Sequence, residues 1–313
     1  MIQFYKNVNQ QTVEVTSAEG ANWINVLPPF QDAEMSSLSR ALNLDRDLLK
    51  DTQDIEERAR FEEDEGAKFI ILKTPVENNS LNESDAYYIT IPVSIIITER
   101  AQVVTVNSFE NVAIRRFLST FAKRHPERPN MMVLKLFDKV VLDFMEVLKE
   151  INHRRNVLEQ KLYDSNRNVE LLHLMRIQKS LVYISTALRS NQLLLTKMAR
   201  TKFLGADEDE KEYLDDLIIE FSQAQEMADN YTNILTSTLD SYASIINNNM
   251  NVVIKRLTSI TIMISIPTLV ASFFGMNVRV PWEQQPVGFV WALVISVALA
   301  ISAALYFSKR RWF

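Results

Sequence analysis

The chain has 313 residues, room for a soluble domain plus membrane segments, and a formal charge of −5 that gives no global basic signal for nucleic acid. It has no cysteine, which excludes disulfides, thiolate metal sites and cysteine catalysis. His125, His153 and His173 stand far apart in polar surroundings, show no metal-ligand pairing, and read as surface residues.

The first residues, Met1-Ile2-Gln3-Phe4-Tyr5-Lys6, lack the apolar core of a signal peptide, so the first half is expected in the cytoplasm. Up to about residue 125 the pattern is mixed α and β. Runs rich in β-branched and aromatic residues at 11–16, 68–73, 86–97 and 102–107 read as strands. Between them, Met35, Leu38, Leu42 and Leu48 have the spacing of a helix over 32–49, and Ser108-Phe109-Glu110 leads into another over 111–121. With five glycines in the whole chain there is no dinucleotide fingerprint, no phosphate loop and no nucleophile elbow. No nucleophile–base constellation can be assembled from spacing, so the expectation is a regulatory or structural domain and no enzyme.

From 131 to 203 the pattern changes to long helices. Leu134, Phe137, Val141, Phe144, Leu148 and Ile151 form one apolar stripe, and Leu171, Met175, Leu181, Ile184, Leu188, Leu193 and Leu195 another. The polar break at 164–168 predicts an antiparallel helical hairpin packed on its neighbours.

Gly205 ends that hairpin, and Asp207, with Glu210 three residues on, is placed to cap a helix running from 207 to 277. No proline falls between Asp207 and Pro267 and no glycine between Gly205 and Gly275. Such a helix would be on the order of 100 Å long, against an apolar bilayer core of roughly 30 Å. Its segment 207–216 holds seven carboxylates against Lys211. Acids at a helix N-terminus suit the macrodipole; they also suit a divalent-cation sensor, because clustered carboxylates repel one another until a cation bridges them.

One seam of this helix, read in alternating steps of three and four, is Asn230, Asn233, Ser237, Asp240, Ser244, Asn247, Asn251, Ile254, Thr258, Thr261, Ser265, Thr268, Ser272 and Gly275. A seven-residue repeat keeps one seam on the axis of a supercoil, and in a dry coiled coil that seam would be leucine and isoleucine. Here only Ile254 interrupts small and polar side chains, which suits helices around a water-filled path. Ser and Thr also line ordinary helix contacts inside membranes. Continuation of the same phase into the soluble part favours the pore.

Residues 257–274 and 287–307 are uncharged and long enough to span, and the short linker makes them a hairpin. Lys255 and Arg256 precede the first span, Lys309, Arg310 and Arg311 follow the second, and the linker has only Arg279 and Glu283. Positive flanks stay inside, so both termini are expected in the cytoplasm and Glu283 in an outer loop. Trp282, Trp291 and Trp312 fit interfacial anchoring, although Trp291 also suits packing between helices.

Gly275-Met276-Asn277, closing the first of two C-terminal spans, resembles the signature of the CorA magnesium-transport family. The surroundings agree: a large N-terminal part, a long helix, two terminal spans and a basic tail Lys309-Arg310-Arg311-Trp312-Phe313. Leu239-Asp240-Ser241-Tyr242, Met250-Asn251, Leu257-Thr258 and Pro267 also look like the family's pattern. Phe274 departs from it, standing where the family often has tyrosine. The resemblance implies a funnel-shaped homopentamer with the long helices around one central pore. Gly275, Met276 and Asn277 would form the outer entrance, Thr261, Ser265, Thr268 and Ser272 hydroxyl rings, Ile254 and Leu257 an apolar gate, and Asp240 a lower carboxylate ring. Asp216 matches a ligand position for regulatory Mg²⁺ bridging neighbouring subunits, with Asp215 adjacent.

The expected fold is thus an α+β cytoplasmic domain of α/β/α type, then long helices and two C-terminal transmembrane helices. Its divisions are 1–130, a helical hairpin at 131–206, a stalk helix at 207–277, an outer loop at 278–286, a second span at 287–308 and a basic tail at 309–313. The expected activity is Mg²⁺ influx driven by the membrane potential of the cell membrane, with Co²⁺ and Ni²⁺ as further candidate ions, Mg²⁺ as regulator and no organic cofactor. A zinc or other divalent-cation transporter of the same superfamily is the nearer rival. A membrane-anchored coiled-coil scaffold is the farther one, and it predicts an apolar seam.

Overall fold

The structure is a computed structural model that describes the chain except residues 9–10, 46–48, 50, 65, 80–81, 83–84, 110–111, 122–127, 165–167, 205–206, 277–286 and 311–313. It divides into two compact units, Met1–Leu235 and Thr236–Phe313.

The first unit is built on one seven-stranded mixed sheet, order β2-β1-β3-β7-β6-β5-β4. The strands are β1 (Ile2–Val8), β2 (Gln11–Val15), β3 (Trp23–Val26), β4 (Arg60–Asp64), β5 (Ala67–Glu77), β6 (Tyr88–Ile97) and β7 (Val103–Asn107). Only β3 and β7 run parallel; every other neighbouring pair is antiparallel. The four strand runs expected from composition are present, with β1, β3 and β4 in addition. β3 was missed because a four-residue strand buried on both faces offers no alternation to read.

Helices α1 (Asp32–Leu42), α2 (Val112–Phe121), α3 (Pro129–Asp164) and α4 (Asn168–Thr201) cover the sheet. On one face Ile24, Val26, Phe69, Ile96, Val104 and Val106 join Met35 and Leu38 of α1 in a continuous core. On the other, Trp23 meets Phe117 of α2 edge-on at 5.1 Å, and α3 and α4 pack on β5 and β6. The result is an α+β domain of α/β/α type. α1 is shorter than the expected 32–49. Asn43 turns left-handed (φ 53°) and its N–H bonds Ser39 O, an αL cap that closes the helix before Leu44.

A buried polar ladder crosses the parallel pair. Trp23 Nε1 donates to Thr105 Oγ1 (2.9 Å), which donates to Asn25 Oδ1 (2.9 Å), and Asn107 Nδ2 donates to the same oxygen (2.9 Å). Each of these side chains is 0–1 % exposed, so their hydrogen bonds offset the cost of leaving water.

α5 (Glu208–Phe274) is 67 residues long, and α6 (Gly288–Lys309) is 22. Asp207 caps α5, accepting the Asp209 N–H at 3.3 Å, the role its position in the sequence suggested. Up to Leu235, α5 belongs to the first unit, where Phe221 packs edge-on against Phe137 of α3 with both rings fully buried. Of the histidines, His153 is exposed, whereas half-buried His173 shares a 2.6 Å hydrogen bond with Tyr87 Oη.

Candidate functional site

The second unit consists of the C-terminal part of α5 and of α6. Both helices contain apolar windows, with mean hydropathies of 1.8 and 2.3, yet only 6 % of each window is buried. Core helices of soluble proteins hide such surface; these leave Ile264, Leu269, Phe289, Leu293 and Leu305 each more than half exposed. Their length and composition suit a bilayer.

Exposure sorts the apolar part of α5 into faces. Ser259 is fully buried, and Met263, Ile266, Pro267, Val270 and Phe274 are half-buried. At about 100° per residue these six share one face, the covered one. Thr258, Thr261, Ser265, Thr268, Ser272 and Gly275 lie roughly opposite, and all six are exposed. The hydroxyl seam therefore looks away from the face covered within the chain.

Each hydroxyl of that seam from Thr261 onward is held the same way. Thr261 Oγ1 donates to Leu257 O (2.9 Å), Ser265 Oγ to Thr261 O (2.8 Å), Thr268 Oγ1 to Ile264 O (3.0 Å) and Ser272 Oγ to Thr268 O (2.9 Å). A hydroxyl has one proton and two lone pairs. With the proton committed to the preceding turn, each oxygen offers the seam acceptor capacity. A row of such oxygens suits a hydrated cation, whose water shell points its hydrogens outward.

At the end of α5 the Gly275 N–H bonds Ala271 O (3.0 Å) and the Met276 N–H bonds Phe273 O (3.4 Å). A Cβ on Gly275 would lie 3.2 Å from Ala271 O, a tight approach that glycine avoids. Asn277 and Glu283 lie outside the described residues. Ile254 and Leu257 are 52 % and 64 % exposed, and Asp240 is exposed on the same helix. Among the described residues nothing covers the two expected to gate.

Asp215 and Asp216 are exposed on the part of α5 that belongs to the first unit. Beside them is a relation that the sequence reading missed. Burial raises the Glu220 carboxyl above its ordinary pKa, and the negative charges of Asp138 on α3 and of Asp216 raise it further, with Lys139 opposing. Glu220 Oε2 is buried and has no hydrogen-bond partner among the described residues. The available signal was Asp138 itself, a carboxylate set directly after Phe137 in the apolar stripe of α3. Among the described residues no three histidine or acidic side chains converge as a complete metal site.

Comparison with known proteins first gives the class. The chain superposes on the complete structure of the CorA magnesium transporter from Methanocaldococcus jannaschii with a TM-score of 0.87 at 23 % identity, over 100 % of this chain and 99 % of the other. The fold is therefore that of a large α+β domain followed by two C-terminal apolar helices. The family follows from sequence: the CorA family model, described as CorA-like Mg²⁺ transporter protein, matches residues 18–311, and the chain belongs to that family. Among its relatives, the cobalt/magnesium transport protein CorA of M. jannaschii is 25 % identical over 93 % of this chain and 90 % of its own length. The protein of that name from Thermotoga maritima is 22 % identical over 93 % and 83 %.

Proposed function

We propose that this chain is the subunit of a homopentameric channel of the cell membrane that carries Mg²⁺ into the cytoplasm down the membrane potential. Divalent cation transport is the common property of its family and relatives. The observation that carries the finer reading is the direction of the hydroxyl seam. It lies opposite the covered face of α5 and presents acceptor oxygens at Thr261, Ser265, Thr268 and Ser272.

Mg²⁺ gives up its water reluctantly, so a path that hydrogen-bonds the water shell conducts it at lower cost than one that must strip it. On this reading Gly275, Met276 and Asn277 receive the hydrated ion, with Glu283 on the outer loop. The hydroxyl rings pass it inward, and Asp240 attracts it on the cytoplasmic side. Ile254 and Leu257 form the apolar ring that closes the path by dewetting. A divalent ion moving inward gains about 4.6 kcal/mol per 100 mV, so no nucleotide hydrolysis is required. Co²⁺, named for the relatives, and Ni²⁺ are further candidate cargoes.

Closing follows from linkage. Mg²⁺ bound between subunits by Asp216, with Asp215 adjacent, stabilises the assembly in which those carboxylates approach one another. Asp138 and Glu220 of the same chain raise the local negative charge that such an ion relieves. Both termini are cytoplasmic, as the basic residues flanking the two spans require.

The test is Mg²⁺ flux into liposomes containing the assembled Asn277→Ala variant. At least a tenfold loss is expected with assembly intact, and unchanged flux contradicts the assignment of the mouth.

A further inference from the structure

The first unit contains a cavity of about 820 Å³ between the ends of β5 and β6, α2 and α3, far larger than one hydrated ion needs. Its charged lining is Glu77, Arg116, Asp143, Glu146 and Glu150. These groups fall into two sets. At one end Arg116 lies between Asp143 and Glu146, 2.7 Å from Glu146 Oε2 but 3.8 Å from Asp143 Oδ1. At the other, Arg154 bonds Glu150 (3.0 Å from Nε) and stands 4.0 Å from Glu77 Oε1. Each set has two carboxylates against one guanidinium, so each carries one formal negative charge in excess.

Asp143 makes this more than an acidic surface. Its side chain is 7 % exposed, it lines the cavity, and among the described residues its closest cation, Arg116, is beyond hydrogen-bond reach. Burial raises its carboxyl to a pKa of about 6, partly countered by Arg116. A buried carboxylate held this loosely gains from a cationic donor in the cavity. Glu150, by contrast, already accepts from Tyr88 Oη at 2.7 Å as well as from Arg154.

The spacing selects the ligand. Asp143 and Glu150 are seven residues apart on α3, so the two excess charges stand roughly 10 Å from one another. Oxygen ligands of Mg²⁺ or Ca²⁺ lie about 2.0–2.6 Å from the ion, so one metal cannot serve both sets. Among the described residues no three-carboxylate metal site exists here either. Beside the charged groups the lining includes apolar Pro75, Ile89, Phe109 and Val147 together with Asn78, Asn79 and Tyr88. Two cationic ends joined by methylenes match this arrangement.

We propose that this cavity binds a linear aliphatic polyamine, one ammonium on Asp143 and Glu146 and another on Glu77 and Glu150. Bound polyamine would bridge α3 to the β5 and β6 ends, at a site separate from Asp216. The test is calorimetric titration of the full-length protein in detergent micelles with spermidine, in the presence and absence of Mg²⁺. The expected result is saturable binding that Asp143→Asn and Glu146→Gln each weaken at least tenfold. n-Butylamine, whose single ammonium cannot join the two sets, is expected to bind at least tenfold more weakly than spermidine. Glu146 is 57 % exposed, so its variant reports on binding without threatening the fold. Absence of saturable binding, equal affinity for n-butylamine, or binding insensitive to both variants overturns the proposal. So does displacement of spermidine by equimolar Mg²⁺, which would assign the carboxylates to a metal ion.

Discussion

The side chain of Asn191 on α4 holds both backbone polar groups of Lys73 on β5: Oδ1 accepts the Lys73 N–H at 2.9 Å and Nδ2 donates to the Lys73 carbonyl at 2.8 Å. Lys73 stands opposite Pro92, which has no N–H, so the pair cannot exchange two ladder bonds, and the polar groups of Lys73 face the other edge. There β4 has already ended, its last pairing on this side being Arg60 with Ile71. Asn191 replaces the missing strand. Three helical turns earlier, Ser180 Oγ does related work, accepting from the N–H groups of Tyr87 (2.9 Å) and Tyr88 (3.1 Å).

Replacing Asn191 by leucine leaves two buried backbone groups without partners. The expected loss is roughly 2–4 kcal/mol of stability in the first unit. Urea unfolding followed by tryptophan fluorescence would show it, and a loss below about 0.5 kcal/mol would mean that water replaces the amide.

The Asp143 carboxyl gives a pH-dependent prediction. Its pKa in the fold, about 6, lies above its ordinary value of 3.8, so the folded chain holds a proton that the unfolded chain releases between those values. Below 3.8 the group contributes nothing; its cost to the fold builds as pH rises from 3.8 to 6 and reaches on the order of 3 kcal/mol above that. Asp143→Asn is therefore expected to be more stable than the parent at pH 7.5, with the gain about halved at pH 5. Thermal unfolding of both proteins across this range measures it. A gain that grows as pH falls has the wrong sign.

For the hydroxyl seam, Thr268→Val preserves shape and removes the acceptor oxygen, whereas Thr268→Ser keeps it. Mg²⁺ flux in liposomes should fall about tenfold or more in the valine variant and stay within about twofold in the serine variant, as loss of hydrogen-bond acceptors in every subunit predicts. Equal flux in both would mean that the hydroxyl serves helix packing only.

Regulation by Asp216 predicts a shift in closing, with no loss of conduction. Asp216→Asn should require several times more internal Mg²⁺ to stop flux, and Asp138→Asn should act in the same direction by reducing the shared negative field. Flux measured against internal Mg²⁺ reads the shift directly. An unchanged closing concentration in both variants would remove these carboxylates from the sensor.

How much of this was legible beforehand varied with the kind of signal. The exposed polar seam, the end of α3 at Asp164 and the cap at Asp207 were visible because helical period and capping chemistry are local. β3 and β4 were not. Trp23-Ile24-Asn25-Val26 is held by a parallel pairing to Val103–Val106, about eighty residues away, and the polar Asn25 within it disguised a buried strand. The premature end of α1 depended on Asn43 adopting a left-handed conformation, which overrode the apolar spacing that continues to 49. Asp138, Asp143 and Glu220 acquire meaning only when α3, α2 and α5 come together, and no spacing along one helix reveals that.

The direction of the seam is tested most directly by placing single cysteines in a chain that has none of its own. Ser265→Cys and Thr268→Cys would lie on the seam; Ile260→Cys and Phe273→Cys would lie on exposed flanks about 100° or more around the helix. After treatment with a small cationic thiol reagent in water, Mg²⁺ flux should be blocked in the two seam variants and unaffected in the two flank variants. Block at Ile260→Cys and Phe273→Cys with the seam variants untouched would place the ion path on another face of α5.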